Sequence, residues 1–328
     1  MTKEITIKNK IGLGTAPLGN MFREVPENEA RETIQSAWDE GIRYFDTAPF
    51  YGAGLAESRL GDVLSAYDRD DYILSTKVGR IVLNEEEEKE GLFENGRKNK
   101  IKTDYTEEGT LKSIEDSMKR LKTDRLDFVY VHDISPDFLG DEWISKFDEA
   151  RKGAFRVLDR LRDEGTISAW GLGVNTTVPI EVALELKEAH PNLSLSATQY
   201  TILQHEGALE RMMPLVEEKN AGLVIGGAFN SGALLGGDHF DYQKITPEIK
   251  ERVSRFQEVA EKHGVHLKDA ALQFSTAHPA VKAVVTGSTR PDRIKEDLKA
   301  LQADIPAAFW EELLNKELIS AKAPLPKK

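Results

Sequence analysis

The chain has 328 residues, 40% hydrophobic and 30% charged, with a formal net charge of −12 and no cysteine. The length permits a large buried core, the negative charge argues against nonspecific binding to nucleic acid or an anionic membrane, and the missing cysteines exclude disulfides, thiol nucleophiles, cysteine-held zinc and iron–sulfur clusters. No apolar run approaches the ~20 residues of a membrane span, and Met1 to Ile7 lacks a signal-peptide core, so a cytoplasmic protein is expected.

Glu4 to Lys8 alternates polar and apolar residues and predicts a strand, part of a β-hairpin ahead of the main fold. Ile11 to Thr15 is a short apolar strand running into a Gly/Pro loop. A helix over 28–40 places Ala30, Ile34, Ala37 and Trp38 on one face, and a strand from Arg43 ends at Asp46-Thr47-Ala48-Pro49. The alternation then continues. Helices are predicted over 57–67, 106–121, 148–164, 179–189 and 207–219, and from Pro247, Leu267 and Pro291. Strands are predicted over 72–78, 126–132, 167–174, 195–200, 223–228 and 281–286. A last helix near 306–318 precedes a polar tail over 319–328. Eight strands counted from Ile11, each followed by a helix, predict a (β/α)8 TIM barrel forming a single domain over 1–328, with an extra C-terminal helix. Residues 79–104, which include Glu85-Glu86-Glu87-Glu88, read as one long irregular loop at the active-site end.

In such a barrel, functional groups project from the C-terminal ends of strands. Asp46, Lys77 and His132 fall at the ends of the second, third and fourth strands, and Tyr51 lies in the loop after Asp46. Each residue alone has an ordinary structural explanation; their coincidence on adjacent strands points to chemistry. A lysine cation beside a tyrosine favours tyrosinate and is expected to lower its pKa from about 10. Asp46 would hold Lys77, and His132 would bind the oxygen that Tyr51 protonates. That is a site for proton transfer to a carbonyl oxygen. No Gly-x-Ser-x-Gly or His-Glu-x-x-His motif is present and no metal site is expected, so the electrons would come from a bound hydride donor.

The sequence resembles the aldo-keto reductases through four separate motifs in order: Phe45 to Gly52 with Ser75-Thr76-Lys77, Val131-His132, Gly173-Val174-Asn175, and Thr286 to Thr289. The resemblance implies that Asp46, Tyr51, Lys77 and His132 are the catalytic tetrad, with Tyr51 as general acid/base, and that NAD or NADP is the cofactor. It also implies cofactor contacts from Gly14, Thr15 and Asp46. Asn175 and Gln199 would hold the carboxamide. Further contacts would come from Asn230, Ser231, Gly232 and Leu234, and from Gly287, Ser288, Arg293 and Asp297 at the adenosine end. NADP-preferring members often carry a lysine where Gly287 stands, so NAD use at least comparable to NADP is expected. The stretch Ala228 to Leu235 and Val131-His132-Asp133 are similar to the branch of aldose 1-dehydrogenases and pyridoxal 4-dehydrogenase. Substrate contacts are expected from Met21, Phe22, Phe50, Tyr51, His132 and Trp143, with the 133–143 loop shaping the pocket.

The implied substrate is a small aldehyde, alcohol or sugar, with no nucleic-acid or membrane partner; the residues leave its identity and the oligomeric state open. A general aldehyde/ketone reductase is the nearest alternative. A dehydrogenase with the doubly wound dinucleotide fold is disfavoured, because Gly12-Leu13-Gly14-Thr15-Ala16-Pro17 places Pro17 where the fingerprint needs its third glycine. A non-catalytic nicotinamide-binding regulatory subunit is the alternative of a different class, and the intact tetrad argues against it.

Overall fold

The computed structural model describes residues 5–326. The first half of the chain forms β1 (Ile11–Gly14), α1 (Glu27–Asp39), β2 (Tyr44–Asp46), α2 (Leu55–Leu64), β3 (Ile73–Val78), β4 (Arg80–Glu86), β5 (Asn99–Thr103), α3 (Glu107–Leu121) and β6 (Phe128–His132). It continues with α4 (Pro136–Leu139), α5 (Trp143–Lys152), α6 (Ala154–Asp163), β7 (Ala169–Val174), α7 (Val178–Glu185), β8 (Leu193–Ala197), α8 (Met213–Glu218) and β9 (Gly222–Gly226). The last part holds β10 (His239–Phe240), β11 (Gln243–Lys244), α9 (Pro247–His263), α10 (Leu267–Ala277), β12 (Val281–Gly287), α11 (Pro291–Ala300) and α12 (Ala307–Asn315).

Eight parallel strands close a barrel in the order β1, β2, β3, β6, β7, β8, β9, β12 and back to β1. The strands are apolar runs buried on both faces, as parallel strands under helices must be. Tyr44, Phe128, Tyr130, Leu195, Val224 and Val285 fill the interior, and a larger apolar shell lies between strands and helices. The register pairs Gly14 with Asp46, Asp46 with Ser75, Lys77 with Tyr130 and His132 with Gly173. This pairing brings the ends of β2, β3 and β6 to one rim. The extra C-terminal helix is α12.

The structure departs from the sequence expectations in several places. No strand forms over residues 5–10, so the expected N-terminal hairpin is absent there; Glu4 lies outside the described residues. Lys8–Lys10 is a 3-10 turn in which Asn9 and Lys10 take positive φ, and Ile7 instead joins the barrel interior beside Tyr44 and Phe128. The alternation reflects Ile7 joining the barrel interior with Ile5 packed against it.

The 79–104 segment is not an irregular loop: β4 and β5 pair as an antiparallel hairpin. The predicted 148–164 helix breaks at Gly153, where a β-carbon would lie 2.5 Å from the Tyr105 carbonyl oxygen. The close approach of two backbones ends α5. The 207–219 helix starts as a π-turn over Ala208–Met212, because Pro214 has no N–H to continue an α-helical ladder. The 319–328 segment is not wholly solvated, since Ile319 and Ala323 are buried.

Candidate active site

Asp46 and Lys77 form a buried ion pair at the rim, with Lys77 Nζ 2.7 Å from Asp46 Oδ2. Lys77 also donates to the Thr47 carbonyl at 2.8 Å, and Ser75 Oγ donates to Asp46 Oδ1 at 2.7 Å. Tyr44 lies beneath, its hydroxyl 3.1 Å from Ser75 Oγ and 3.2 Å from the Tyr130 hydroxyl. A polar layer inside the barrel thus supports the pair from below. Gly173 borders Lys77, and a β-carbon there would lie 3.4 Å from Lys77 Cε.

Tyr51 and His132 stand above. The Tyr51 ring is edge-on to the His132 ring at 5.8 Å, and Lys77 Nζ lies 4.8 Å from the Tyr51 ring centroid. Tyr105 donates to the His132 carbonyl at 2.7 Å and fixes the backbone there. The expectation of a lowered Tyr51 pKa does not hold. Burial, with Asp46 and Asp133 adding to it, raises it well above 10. Lys77 commits two of its three donors to Asp46 and Thr47. Burial, then Lys77 and Arg80, push the His132 pKa well below its ordinary 6.5, so the imidazole is neutral at pH 7. Nδ1 of His132 is buried without a partner, while Nε2 lies 3.6 Å from Asp133 Oδ1. A carboxylate on that side favours the Nε2–H tautomer.

A cleft of about 680 Å³ runs from this cluster to the start of α11. Asp46, Tyr51, Lys77 and His132 all line it, together with Met21, Phe22, Phe50, Gly14, Asn175, Ser231 and Gly232, and, beside the start of α11, Gly287, Arg293 and Asp297. Thr15, Gln199, Asn230, Leu234, Ser288 and Trp143 are not on its walls. Thr15 bonds the Asp46 carbonyl, Gln199 donates to Thr198 Oγ1, and Asn230 bridges Thr201 and Asp241. Leu234 is in the core, Ser288 Oγ caps Arg290, and Trp143 packs on Phe147.

Several lining residues were not anticipated. Phe93, from the turn of the β4–β5 excursion, stacks on Tyr51 at 5.8 Å. That turn is anchored where Phe22 N–H donates to the Leu92 carbonyl. Tyr242, next to the short β10–β11 hairpin, and Lys268 on α10 also line the cleft. Nothing local in the sequence marks these long-range contributions. Arg80, which lies behind the wall rather than on it, had a signal: it stands three residues after Lys77 and follows Gly79, just past the strand that ends at Val78.

The cleft suits an elongated dinucleotide. Gly227, with φ +64, lines the cleft without a side chain, and a β-carbon there would meet Thr198 Cγ2 at 2.8 Å. Arg290 and Arg293 supply positive charge at the far end, beside the first turn of α11. Lys268 is there too but is paired with Asp297 at 2.6 Å and Glu296 at 2.9 Å.

The sequence profile of the aldo/keto reductase family matches residues 10–317. The chain is 36% identical over 326 residues to pyridoxal 4-dehydrogenase of Microbacterium luteolum, covering 94% of each chain. It is 35% identical over 320 residues to D-threo-aldose 1-dehydrogenase of a Pseudomonas species, again covering 94% of each. Among solved structures, an aldo-keto reductase from Bacillus halodurans in its holo form superposes with a TM-score of 0.72 at 24% identity, covering 98% of this chain and 97% of that one.

Proposed function

From the premise that this chain belongs to the aldo/keto reductase family and is an NAD(P)-dependent oxidoreductase, we propose that it oxidises the hemiacetal carbon of an aldose or a pyridoxal-type aldehyde. Tyr51 carries the proton. The observation that carries this reading is the convergence of Tyr51, His132 and the Asp46–Lys77 pair on one end of the cleft.

When bound, the nicotinamide accepts a hydride from the substrate carbon or returns it. The chain's own residues manage the oxygen. In oxidation the ionised Tyr51 oxygen takes the substrate O–H proton as the C–H pair leaves as hydride to the bound nicotinamide, so this direction runs through the tyrosinate, and the product from a cyclic aldose is a lactone. In reduction Tyr51 returns that proton to the carbonyl oxygen. Neutral His132 donates from Nε2 to the same oxygen, orienting it without competing for the proton. Lys77, fixed by Asp46 and the Thr47 carbonyl, stabilises negative charge on Tyr51. Phe50, Phe93 and Phe138 surround the His132 side of the cleft with aromatic surface.

In this reading Asn175 holds the carboxamide, while Gly287, Arg293 and the start of α11 receive the phosphate and adenosine end. NAD serves at least as well as NADP, because Gly287 offers no side chain and Lys268 is already paired. The names of the two curated relatives support an aldose or pyridoxal substrate. The test follows absorbance of the reduced nicotinamide with aldoses, pyridoxal and simple alcohols, using NAD and NADP separately. Aldose or pyridoxal oxidation above simple-alcohol oxidation is the expected result. Turnover confined to simple aldehydes and ketones would replace this reading with that of a general reductase.

A further inference from the structure

One carboxylate at the mouth of the cleft has no part in the tetrad. Asp133 follows His132 at the end of β6, is 5% exposed and lines the cleft. Its backbone N–H donates to the Gly173 carbonyl at 3.0 Å, and its φ of +51 is in the left-handed region. A non-glycine residue adopts that conformation only where its surroundings hold it there. Oδ1 lies 3.6 Å from His132 Nε2 and Oδ2 lies 3.7 Å from Arg80 Nη2. Both separations exceed hydrogen-bond reach, and no described residue donates a hydrogen bond to this carboxylate.

Arg80 is buried behind it. Its Nη1 donates to Thr103 Oγ1 at 2.6 Å, while Nε and Nη2 have no acceptor. Its guanidinium lies 4.2 Å from the Phe138 ring centroid and 5.6 Å from that of Phe50. Arg80 does not line the cleft, so its charge acts through Asp133. An acceptor left unfilled among aromatic rings is costly unless a ligand fills it. The donor that fills it must come from the cleft. A cationic amine is disfavoured, because Lys77 and Arg80 already flank the position. A neutral hydroxyl fits.

The oxygen shared by Tyr51 and His132 sits on the reacting carbon, and the acceptor beside His132 Nε2 is placed for a group one carbon away. We propose that Asp133 is a specificity-determining residue that accepts a hydrogen bond from a hydroxyl on the carbon next to the reacting one, with Arg80 as its positioning residue. The site therefore selects α-hydroxy aldehydes and their cyclic hemiacetals over plain aldehydes. This inference rests on the carbonyl or hemiacetal redox function proposed above.

The experiment measures kcat/KM for two pairs that differ only in that hydroxyl: glyceraldehyde against 3-hydroxypropanal in reduction, and ribose against 2-deoxyribose in oxidation. The wild-type protein should favour the hydroxylated member about 10- to 100-fold. Asp133→Ala should bring the ratio to within about threefold of one, Asp133→Asn should restore part of it through its amide oxygen, and Arg80→Met should lower it. Cofactor binding, followed by quenching of intrinsic fluorescence, reports whether each variant is folded. If Asp133→Ala fails to bind cofactor, Asp133→Asn decides, and its ratio must fall below that of the wild type. A wild-type ratio near one, or a ratio unchanged in a variant that binds cofactor, overturns the inference while the redox function stands. No turnover of these four compounds while pyridoxal is still oxidised overturns the inference alone, and no turnover of the four or of pyridoxal overturns the proposed function as well.

Discussion

Two buried carboxylate–cation pairs stand at the same rim of the barrel, and they are built differently. In the first, Asp46 receives Lys77 Nζ and Ser75 Oγ, each at 2.7 Å, and Lys77 also reaches the Thr47 carbonyl. In the second, Asp133 and Arg80 stop 3.7 Å apart, and Arg80 keeps two buried nitrogens without acceptors. The first pair is hydrogen-bonded within the protein, and in the proposed mechanism it supplies scaffold and charge for Tyr51. The second is incomplete and waits for a ligand. Polar satisfaction thus separates parts of the site that residue identity alone makes look alike.

The sharpest way to break the comparison is to remove each cation. Lys77→Met leaves the Asp46 charge buried without its counter-ion and should cost about 3–5 kcal/mol of folding stability. Arg80→Met should cost less, about 1–2 kcal/mol, because Asp133 can take up a proton near neutral pH. Urea unfolding of both variants at pH 7 measures the difference, and equal losses would erase the distinction.

A smaller effect concerns pH. Burial, and next the neighbouring Asp137, raise the Asp133 pKa from 3.8 to about 7. A raised folded-state value makes ionisation unfavourable to the fold, so the stability associated with this group is complete below pH 3.8 and is lost as pH rises to about 7. Asp133→Asn escapes that loss. Relative to wild type it should gain about 2–3 kcal/mol between pH 5 and pH 8. His132 has the opposite sign: its lowered pKa makes stability fall as pH drops below 6.5, but it is common to both proteins and leaves the difference. A pH-independent difference in urea unfolding would show that Asp133 ionises freely.

The smallest expected effect lies at the other end of the cleft, where Lys268 is already paired with Asp297 and Glu296. Arg290 and Arg293 are left for a 2′-phosphate. NADP should therefore bind less than a hundredfold tighter than NAD, a gap under about 2.7 kcal/mol. Arg293→Gln should weaken NADP about tenfold and NAD less. Fluorescence titration at one ionic strength gives both constants, and a larger NADP advantage would mean that Gly287 has been compensated.

The barrel was legible because its signals are local and repeated: short apolar runs, helical faces and glycine or proline stops. The clustering of Asp46, Lys77 and His132 was legible because they fall at or near the ends of adjacent strands. What escaped depends on contacts across the chain. The Ile5–Ile7 alternation mimicked a strand although Ile7 fills the barrel interior. Gly153 broke a helix through the approach of Tyr105, more than forty positions earlier in the chain. The charge run around Glu85 hid a hairpin whose turn delivers Phe93 to Tyr51. The direction of the Tyr51 pKa was missed because adjacency of a lysine in the motif says nothing about where its protons go; here Asp46 and Thr47 take them.

The central claim is that Tyr51 moves the proton while the rest of the site holds the reactants. Its most direct measurement is kcat of Tyr51→Phe beside the cofactor dissociation constant of the same variant. The account predicts a loss of about 10²- to 10⁴-fold in kcat with cofactor affinity nearly unchanged, since the hydroxyl acts on the substrate oxygen. A variant that binds cofactor normally and keeps near-full kcat would contradict it.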